Sequence, residues 1–171
     1  HKAFSVLNQL CDIDWDKGNE FFDSTRLQFS NIQSGTGATN VIPGELTAVF
    51  NLRFSTETNA EAIKSQCEAV LDDSGVDYEI DWQLSGNPFL TEPGDLVDAV
   101  RESIAETTGV TATLSTGGGT SDGRFIATMG SQIIELGPIN ASIHQRNEHV
   151  LIDDIPKLAR IYEGIMERLL T

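Results

Sequence analysis

The sequence predicts an α/β protein built from two successive units, and three observations indicate this. Apolar residues recur at helical spacing in some segments and alternate with polar residues in others, as in helices and strands respectively. The segment order changes after residues 86–88, Gly-Asn-Pro, from helix, strand, strand, helix, strand to a regular alternation of helix and strand. A length of 171 residues with 39% hydrophobic residues is enough for one domain or two small ones.

The first unit is predicted to span residues 1–87. Helical spacing predicts a helix over 3–10 and another over 60–71, the latter capped by Thr58 or Asn59 and ended at 73–75. Alternation predicts strands over 27–32, 46–54 and 76–82, with a connection over 33–45 that is too long for a tight hairpin. This order is the tail of a βαββαβ ferredoxin-like unit that lacks its first strand.

The second unit is predicted to span residues 88–171 as an α/β layer. Helices are expected over 96–108, 123–129 and 155–170, and strands over 110–114 and 131–136.

A glycine-rich loop lies between the predicted strand 110–114 and the predicted helix that begins at 123. Residues 114–124 are Leu-Ser-Thr-Gly-Gly-Gly-Thr-Ser-Asp-Gly-Arg. Such a loop can present backbone N–H groups and a positive helix end to a carboxylate or phosphate. A plain strand-to-helix turn explains the residue types equally well. The loop is not a phosphate-binding P-loop, because it lacks the Gly-Lys-Ser/Thr ending.

Composition excludes some partners. A net charge of −15 argues against nucleic acid and anionic membranes as partners. No apolar run approaches the roughly 18 residues of a membrane span. The two cysteines, Cys11 and Cys67, lack metal-type spacing, so we expect them to be small core residues in a reducing cytoplasm.

A few residues could carry chemistry. His144 follows the predicted strand 131–136, in a loop where α/β proteins collect functional groups, although a lone imidazole is more often a surface residue. Arg53 is a solvated strand charge or a group that binds a carboxylate. Asn40 is typical of a turn. The carboxylates at 72–73, 148 and 153–154 are expected to be helix caps and solvated charges, which leaves the chain without a complete metal site.

The motifs carry a family resemblance that covers essentially all 171 residues. They are Thr-Gly-Gly-Gly-Thr-Ser-Asp-Gly-Arg at 116–124, Glu-Leu-Gly-Pro-Ile-Asn-Ala-Ser-Ile-His-Gln at 135–145 with Asn-Glu at 147–148, and, upstream, the segments at 15–22, 35–43, 51–57 and 84–90. In this order they resemble the C-terminal part of the desuccinylase branch of the dizinc aminoacylase and carboxypeptidase superfamily. We therefore expect the chain to be a fragment that lacks roughly the first half of the enzyme.

The resemblance implies an architecture and an activity. Residues 1–87 would be a ferredoxin-like dimerisation and lid domain, and 88–171 the C-terminal α/β part of the catalytic domain. The activity would be zinc-dependent hydrolysis of N-succinyl-LL-2,6-diaminopimelate to succinate and LL-2,6-diaminopimelate, in bacterial lysine and diaminopimelate biosynthesis in the cytoplasm. Two zinc ions, with cobalt as an alternative, would be bound per full-length subunit. His144 would ligate one of them, whereas the other ligands and the general base would precede His1. The fragment alone would therefore be inactive and would bind no metal ion tightly.

The resemblance also implies contacts to a small dicarboxylic amino-acid substrate. These would come from Asn40, Arg53, Ser85, Gly119 and Thr120, with Asn40 acting across a homodimer formed by residues 1–87. Arg124 is either a further charge for the substrate or a structural ion pair, and His149 matches no ligand of the family. Two alternatives stay open: a related deacylase such as an acetylornithine deacetylase or an aminoacylase, and a dimerisation module without activity of its own.

Overall fold

A computed structural model describes residues 1–117, 119 and 121–171. These residues form two compact units, His1–Pro88 and Phe89–Thr171. The elements, in chain order, are α1 (Lys2–Cys11), β1 (Arg26–Ser34), β2 (Leu46–Arg53), α2 (Ala60–Asp73), α3 (Asp95–Thr108), α4 (Gly123–Ala127) and α5 (Asp154–Leu170). No helix among the described residues is long and apolar enough to cross a membrane.

The first unit is built on an antiparallel hairpin of β1 and β2. The register pairs Leu27 with Leu52 and Phe29 with Phe50, and it shifts by one residue between Phe29 and Asn31. One face of the hairpin is half-buried where Leu27, Phe29, Phe50 and Leu52 lie, while the other is exposed. The alternation therefore predicted both strands correctly, and β1 extends two residues beyond the predicted end.

Two helices cover the apolar side of this unit. Their buried residues are Val6 and Leu10 from α1 and Ile63 and Cys67 from α2. Asn59 caps α2 as predicted, because its Oδ1 accepts a hydrogen bond from the Ala62 N–H at 2.9 Å. Burial raises the pKa of the Cys67 thiol to about 11, with a smaller contribution from Glu68, so this cysteine is an inert core residue. The same expectation for Cys11 is wrong, since Cys11 is exposed at the end of α1.

The second unit is organised around the packing of α3 against α5. Its core consists of Ala99, Val100, Ile161 and Ile165, with four half-buried neighbours: Leu96, Ile104, Ile134 and Leu136. Arg168 of α5 reaches α3, where its Nε lies 3.2 Å from Glu102 and its Nη2 lies 2.6 Å from Glu106. The two helices were predicted correctly, whereas α4 ends at Ala127 rather than at residue 129.

Three predicted strands are wrong. Segments 76–82, 110–114 and 131–136 make no strand ladder with any described residue. A strand exists only where a neighbour satisfies its backbone groups, and these three segments have none in the described part of the chain. The predicted alternation is still present at 76–82, where every second residue is half-buried and the Trp82 ring packs edge-on against Phe50 at 5.7 Å.

Side chains take the place of a ladder at segment 131–136. Thr91 Oγ1 donates to the Ile133 carbonyl at 2.6 Å and accepts from the Ile133 N–H at 3.1 Å. Tyr162 of α5 donates its hydroxyl to the Leu136 carbonyl at 2.5 Å. This segment leads into the loop that carries His144. It is thus fixed to α5 by Tyr162 and to the residues just before α3 by Thr91.

Candidate functional site

The residues predicted for the site are divided between the two units. Asn40, Arg53 and Ser85 belong to the first, and Gly119 and His144 to the second. Thr120 lies outside the described residues.

Arg53 ends β2 on the exposed face of the hairpin, as alternation predicted. Directly opposite it in the register is Arg26, the first residue of β1. Both side chains are exposed, and neither makes an ion pair with a described carboxylate. Two free guanidinium groups therefore stand side by side at the open end of the hairpin.

Asn40 lies in a turn at the tip of the connection between β1 and β2. The base of this connection is closed by Ser34, whose hydroxyl donates to the Glu45 carbonyl at 2.7 Å. Beyond the base the whole connection is exposed, including the large apolar side chains of Val41 (58%) and Ile42 (77%). An exposed polar amide beside two exposed aliphatic side chains is typical of a surface that contacts a partner.

Ser85 is exposed in an irregular segment next to Leu84, which is also exposed. No described residue hydrogen-bonds to its side chain, so its hydroxyl is free to meet a ligand or solvent.

The glycine loop is held at its C-terminal end by side chains. Ser121 accepts a hydrogen bond from the Gly123 N–H at 3.1 Å and donates its hydroxyl to the Glu135 carboxylate. Arg124 donates to the Ser121 carbonyl at 2.9 Å, and its guanidinium carbon lies 4.4 Å from the Phe125 ring centroid. Arg124 forms no ion pair with a described carboxylate, so its structural role is a hydrogen bond and a cation–π contact.

Gly119 is the described glycine of the loop that was expected to contact substrate. Its φ lies outside the left-handed region, and a Cβ built on it would meet no atom within 4 Å among the described residues. No described side chain therefore fills the space beside the Gly119 Cα, which is compatible with the close approach of a ligand.

His144 lies in an exposed turn with φ of +61°, and Asn147 follows with φ of +62°. Non-glycine residues in this region are uncommon, and they concentrate at functional sites. The loop is closed by Ser142, whose hydroxyl donates to the His149 carbonyl at 2.8 Å and accepts from the His149 N–H at 3.0 Å. His149 is exposed, as expected, with its Nδ1 2.8 Å from the Asn147 carbonyl. The turn presents the His144 imidazole outward without a described hydrogen-bond partner.

The described residues do not by themselves form a metal centre. No group of three or more histidine, cysteine, aspartate or glutamate side chains lies close enough to hold an ion in the described part of the chain. The carboxylates set aside as caps and surface charges are used locally: Asp154 pairs with Lys157 at 3.0 Å, and Asp72 accepts from the Tyr78 hydroxyl at 2.8 Å. His144 could therefore contribute one ligand to a site that needs others.

Sequence reasoning missed a buried polar cluster next to Arg26 and Arg53. Thr25 and Ser55 are 4% and 1% exposed, and the Ser55 N–H donates to Thr25 Oγ1 at 3.0 Å. Asp16 Oδ1 accepts from the Thr25 N–H at 3.1 Å and from the Gly18 N–H at 2.7 Å. Burial would raise the pKa of Asp16, but hydrogen bonds from Thr25, Gly18 and Ser55 outweigh it and lower that pKa. The Asp-Lys-Gly turn at 16–18 was the available signal, since aspartate two residues before glycine is typical of an Asx turn.

The sequence of this chain matches a known protein family. Residues 13–168 match the family model described as peptidase family M20/M25/M40. A curated relative from Thioalkalivibrio sulfidiphilus (strain HL-EbGR7), named succinyl-diaminopimelate desuccinylase, is 58% identical over 99% of this chain. A relative of the same name from Hahella chejuensis (strain KCTC 2396) is 57% identical over 99% of the chain. The chain spans 45% and 44% of the lengths of these two relatives.

Solved structures share the fold at low identity. The aminopeptidase PepT of Bacillus cereus ATCC 10987 matches 99% of this chain with a TM-score of 0.75 and 20% identity, over 46% of its own length. The metallo-carboxypeptidase Sso-CP2 of Sulfolobus solfataricus matches 95% of this chain with a TM-score of 0.72 and 19% identity, over 41% of its own length.

Proposed function

The chain belongs to peptidase family M20/M25/M40, and from this premise we propose that it is the C-terminal part of a metal-dependent amide hydrolase. Its substrate is N-succinyl-LL-2,6-diaminopimelate, and its products are succinate and LL-2,6-diaminopimelate. The observation that carries this proposal is the 57–58% identity, over 99% of the chain, to relatives named succinyl-diaminopimelate desuccinylase. A biosynthetic enzyme of this kind acts in the cytoplasm.

His144 provides one ligand of a metal centre completed by residues outside this chain. The exposed imidazole and the left-handed backbone at this position support the role. A metal of the zinc type, bound in the longer protein, would activate a water molecule and polarise the amide carbonyl. Because the described residues hold no metal alone, the 171-residue chain by itself is expected to be inactive.

The remaining site residues orient the substrate. Arg53 carries a free guanidinium group that can bind both oxygens of a carboxylate. Gly119 has no described atom within 4 Å of an added Cβ, which supports a role for its N–H in binding a second polar group of the substrate, and the family resemblance adds the hydroxyl of Thr120 to this role. The exposed hydroxyl of Ser85 adds a neutral donor. These positive and hydrogen-bond-donor groups would bind the carboxylates of the substrate in a protein whose net charge is strongly negative.

The first unit provides assembly and substrate contacts, and the second provides the metal ligand. Residues 1–87 form a ferredoxin-like dimerisation and lid domain, and residues 88–171 the C-terminal part of the catalytic domain. The exposed Asn40, Val41 and Ile42 support a role for this loop at the interface of a homodimer, in which Asn40 reaches the active site of the partner.

The activity is tested in the full-length protein by succinate release from N-succinyl-LL-2,6-diaminopimelate, with N-acetylornithine as the competing substrate. His144→Ala should lower kcat by more than about a hundredfold, because losing a ligand costs more than losing its supporting contacts. His149→Ala is the matched control, since it removes an exposed imidazole five residues away and should retain activity. Equal losses in both variants, or preference for N-acetylornithine, would contradict the proposal.

The trans role of Asn40 makes a separate prediction. Full-length Asn40→Ala and His144→Ala are each expected to be inactive, whereas random subunit exchange should restore activity to roughly a quarter of the wild-type level. This follows because about half of the dimers are mixed and one of their two sites has both groups intact. No recovery in verified mixed dimers would place Asn40 in the site of its own subunit.

A further inference from the structure

The exposed face of the β1–β2 hairpin is unusual in its charge. Its side chains are those of one register face: Arg26, Gln28, Asn31, Gln33, Thr47, Val49, Asn51 and Arg53. The face carries two arginines and no carboxylate, although acidic residues outnumber basic ones 26 to 11 in the chain. The hairpin therefore presents local positive charge in a negatively charged protein.

The two arginines are placed where they repel each other. Arg26 and Arg53 are direct cross-strand partners, and like charges at such positions destabilise a sheet. Neither guanidinium group is neutralised by a described carboxylate. An anion bound between them would be attracted to both guanidinium groups and would offset their mutual repulsion.

The backbone beneath the arginines is fixed. Thr25 precedes Arg26, Ser55 follows Arg53 by two residues, and the hydrogen bond between these two buried residues joins the strand ends at 3.0 Å. Asp16 in turn accepts from the Thr25 N–H. The spacing of the two guanidinium stems is thus set by buried groups, which is what a preorganised anion site requires.

We propose that Arg26 and Arg53 together bind one carboxylate of a dicarboxylate ligand. This extends the proposed function, in which Arg53 alone contacts the substrate, by adding Arg26 as a second substrate-binding residue. Two planar guanidinium forks can each donate two hydrogen bonds, so a carboxylate between them is held at both oxygens from both strands. Arg26 then contributes to substrate affinity rather than to the chemical step.

The test uses the full-length protein with Arg26→Gln, Arg53→Gln and Arg26→Lys, and with Arg101→Gln as the control. Arg101 is an exposed arginine of α3 without a described ion pair, so its loss changes net charge equally. Arg26→Gln should raise KM about tenfold with kcat within about twofold, as expected for a charge-assisted hydrogen bond made equally in ground and transition states. Arg26→Lys, which keeps the charge but not the fork, should recover part of the affinity.

Melting temperature gives a second readout that does not need turnover. Succinate, compared with acetate at equal ionic strength, should raise Tm for the wild type and for Arg101→Gln, and less for Arg26→Gln. Without ligand, Arg26→Gln should melt no lower than the wild type, because a repulsive pair has been removed. KM and the succinate shift at wild-type values in Arg26→Gln would overturn the proposal. A succinate shift that needs both arginines in a protein that hydrolyses no succinyl amide would retain the anion site and reject the proposed function.

Discussion

The hairpin of the first unit and the extended segments of the second have the same sequence pattern but different structures. Residues alternate between apolar and polar in β1, in β2 and at 110–114, and 131–136 is an apolar run. The strands β1 and β2 exchange backbone hydrogen bonds along their length, whereas 110–114 and 131–136 pair with no described residue. The two strands of the hairpin are joined by a connection of 11 residues, 35–45. The difference teaches that a strand-like pattern of side chains does not show whether a neighbouring strand is available, and without one even apolar residues such as Val110 and Leu114 stay exposed.

This difference extends to the candidate site. Arg53 is positioned by backbone register and by the buried pair of Thr25 and Ser55. The glycine loop is positioned by side chains, chiefly the bonds of Ser121 with Glu135 and of Arg124 with the Ser121 carbonyl. We therefore expect the position of Arg53 to be set by backbone geometry and that of the glycine loop to be more adjustable.

The largest effect is expected where the backbone of the first unit has no freedom. Gly18 has φ of +67°, and a Cβ at this position would lie 2.3 Å from the Phe22 carbonyl oxygen. Gly18→Ala should lower the free energy of unfolding by about 3 kcal/mol, since both the dihedral strain and the clash with backbone must be relieved.

Gly37→Ala is the control for that change, because Gly37 has φ of +86° but open space around its Cα. It should cost about 1 kcal/mol, from the backbone strain alone. Urea unfolding of the full-length protein measures both. We call residues 16–25, which Asp16 joins through its hydrogen bonds with Gly18 and Thr25, the 16–25 turn. Equal decreases in the free energy of unfolding would mean that this turn rearranges as easily as an exposed loop.

Activity should respond more than stability at the glycine loop. Gly119→Val meets no described atom, so Tm should stay unchanged while kcat/KM falls by about a hundredfold, because the branched side chain displaces the substrate. Gly123→Val is the matched variant in the same loop. Its Cβ would lie 3.0 Å from Ser121 Oγ and 3.2 Å from Ile133 Cγ2, so it should lower Tm. A fall in Tm with Gly119→Val as well would show that the loop is a structural turn.

Elements that depend on local interactions were predictable from the sequence. The apolar faces of α2, α3 and α5 and the Asn59 cap of α2 lie within single segments, and the boundaries of these helices were accordingly predicted within about two residues. The pairing of Arg26 with Arg53 was not predictable, because the register depends on the shift between Phe29 and Asn31, which no residue type reveals. Likewise, Cys11 was expected in the core from its residue type alone, whereas it is the last residue of α1 and is exposed.

The positive φ of His144 also lies beyond sequence reasoning. Glycine is the usual residue in this conformation, and although histidine is enriched among the other residues found there, only a small share of histidines adopt it, so the residue type alone does not predict it. The position of His144 after a predicted strand made it a candidate, and the family resemblance made it a metal ligand. The structure adds an outward-facing imidazole on an uncommon backbone, which is an independent physical reason to test it.

The smallest expected effect concerns Asp16, the carboxylate that joins the 16–25 turn to the hairpin. Because its pKa is lowered in the folded state, its contribution to stability is present above the unfolded value near 3.8 and is lost as pH falls through the folded pKa. Asp16→Asn should therefore reduce the free energy of unfolding by about 1 kcal/mol at pH 7, and the difference from wild type should shrink below pH 4. Asp14→Asn is the control, since Asp14 is exposed and pairs only with Lys17 among the described residues. Urea unfolding as a function of pH measures both variants, and a difference for Asp16→Asn that persists unchanged into acid would assign its effect to lost packing rather than to the charged hydrogen bonds.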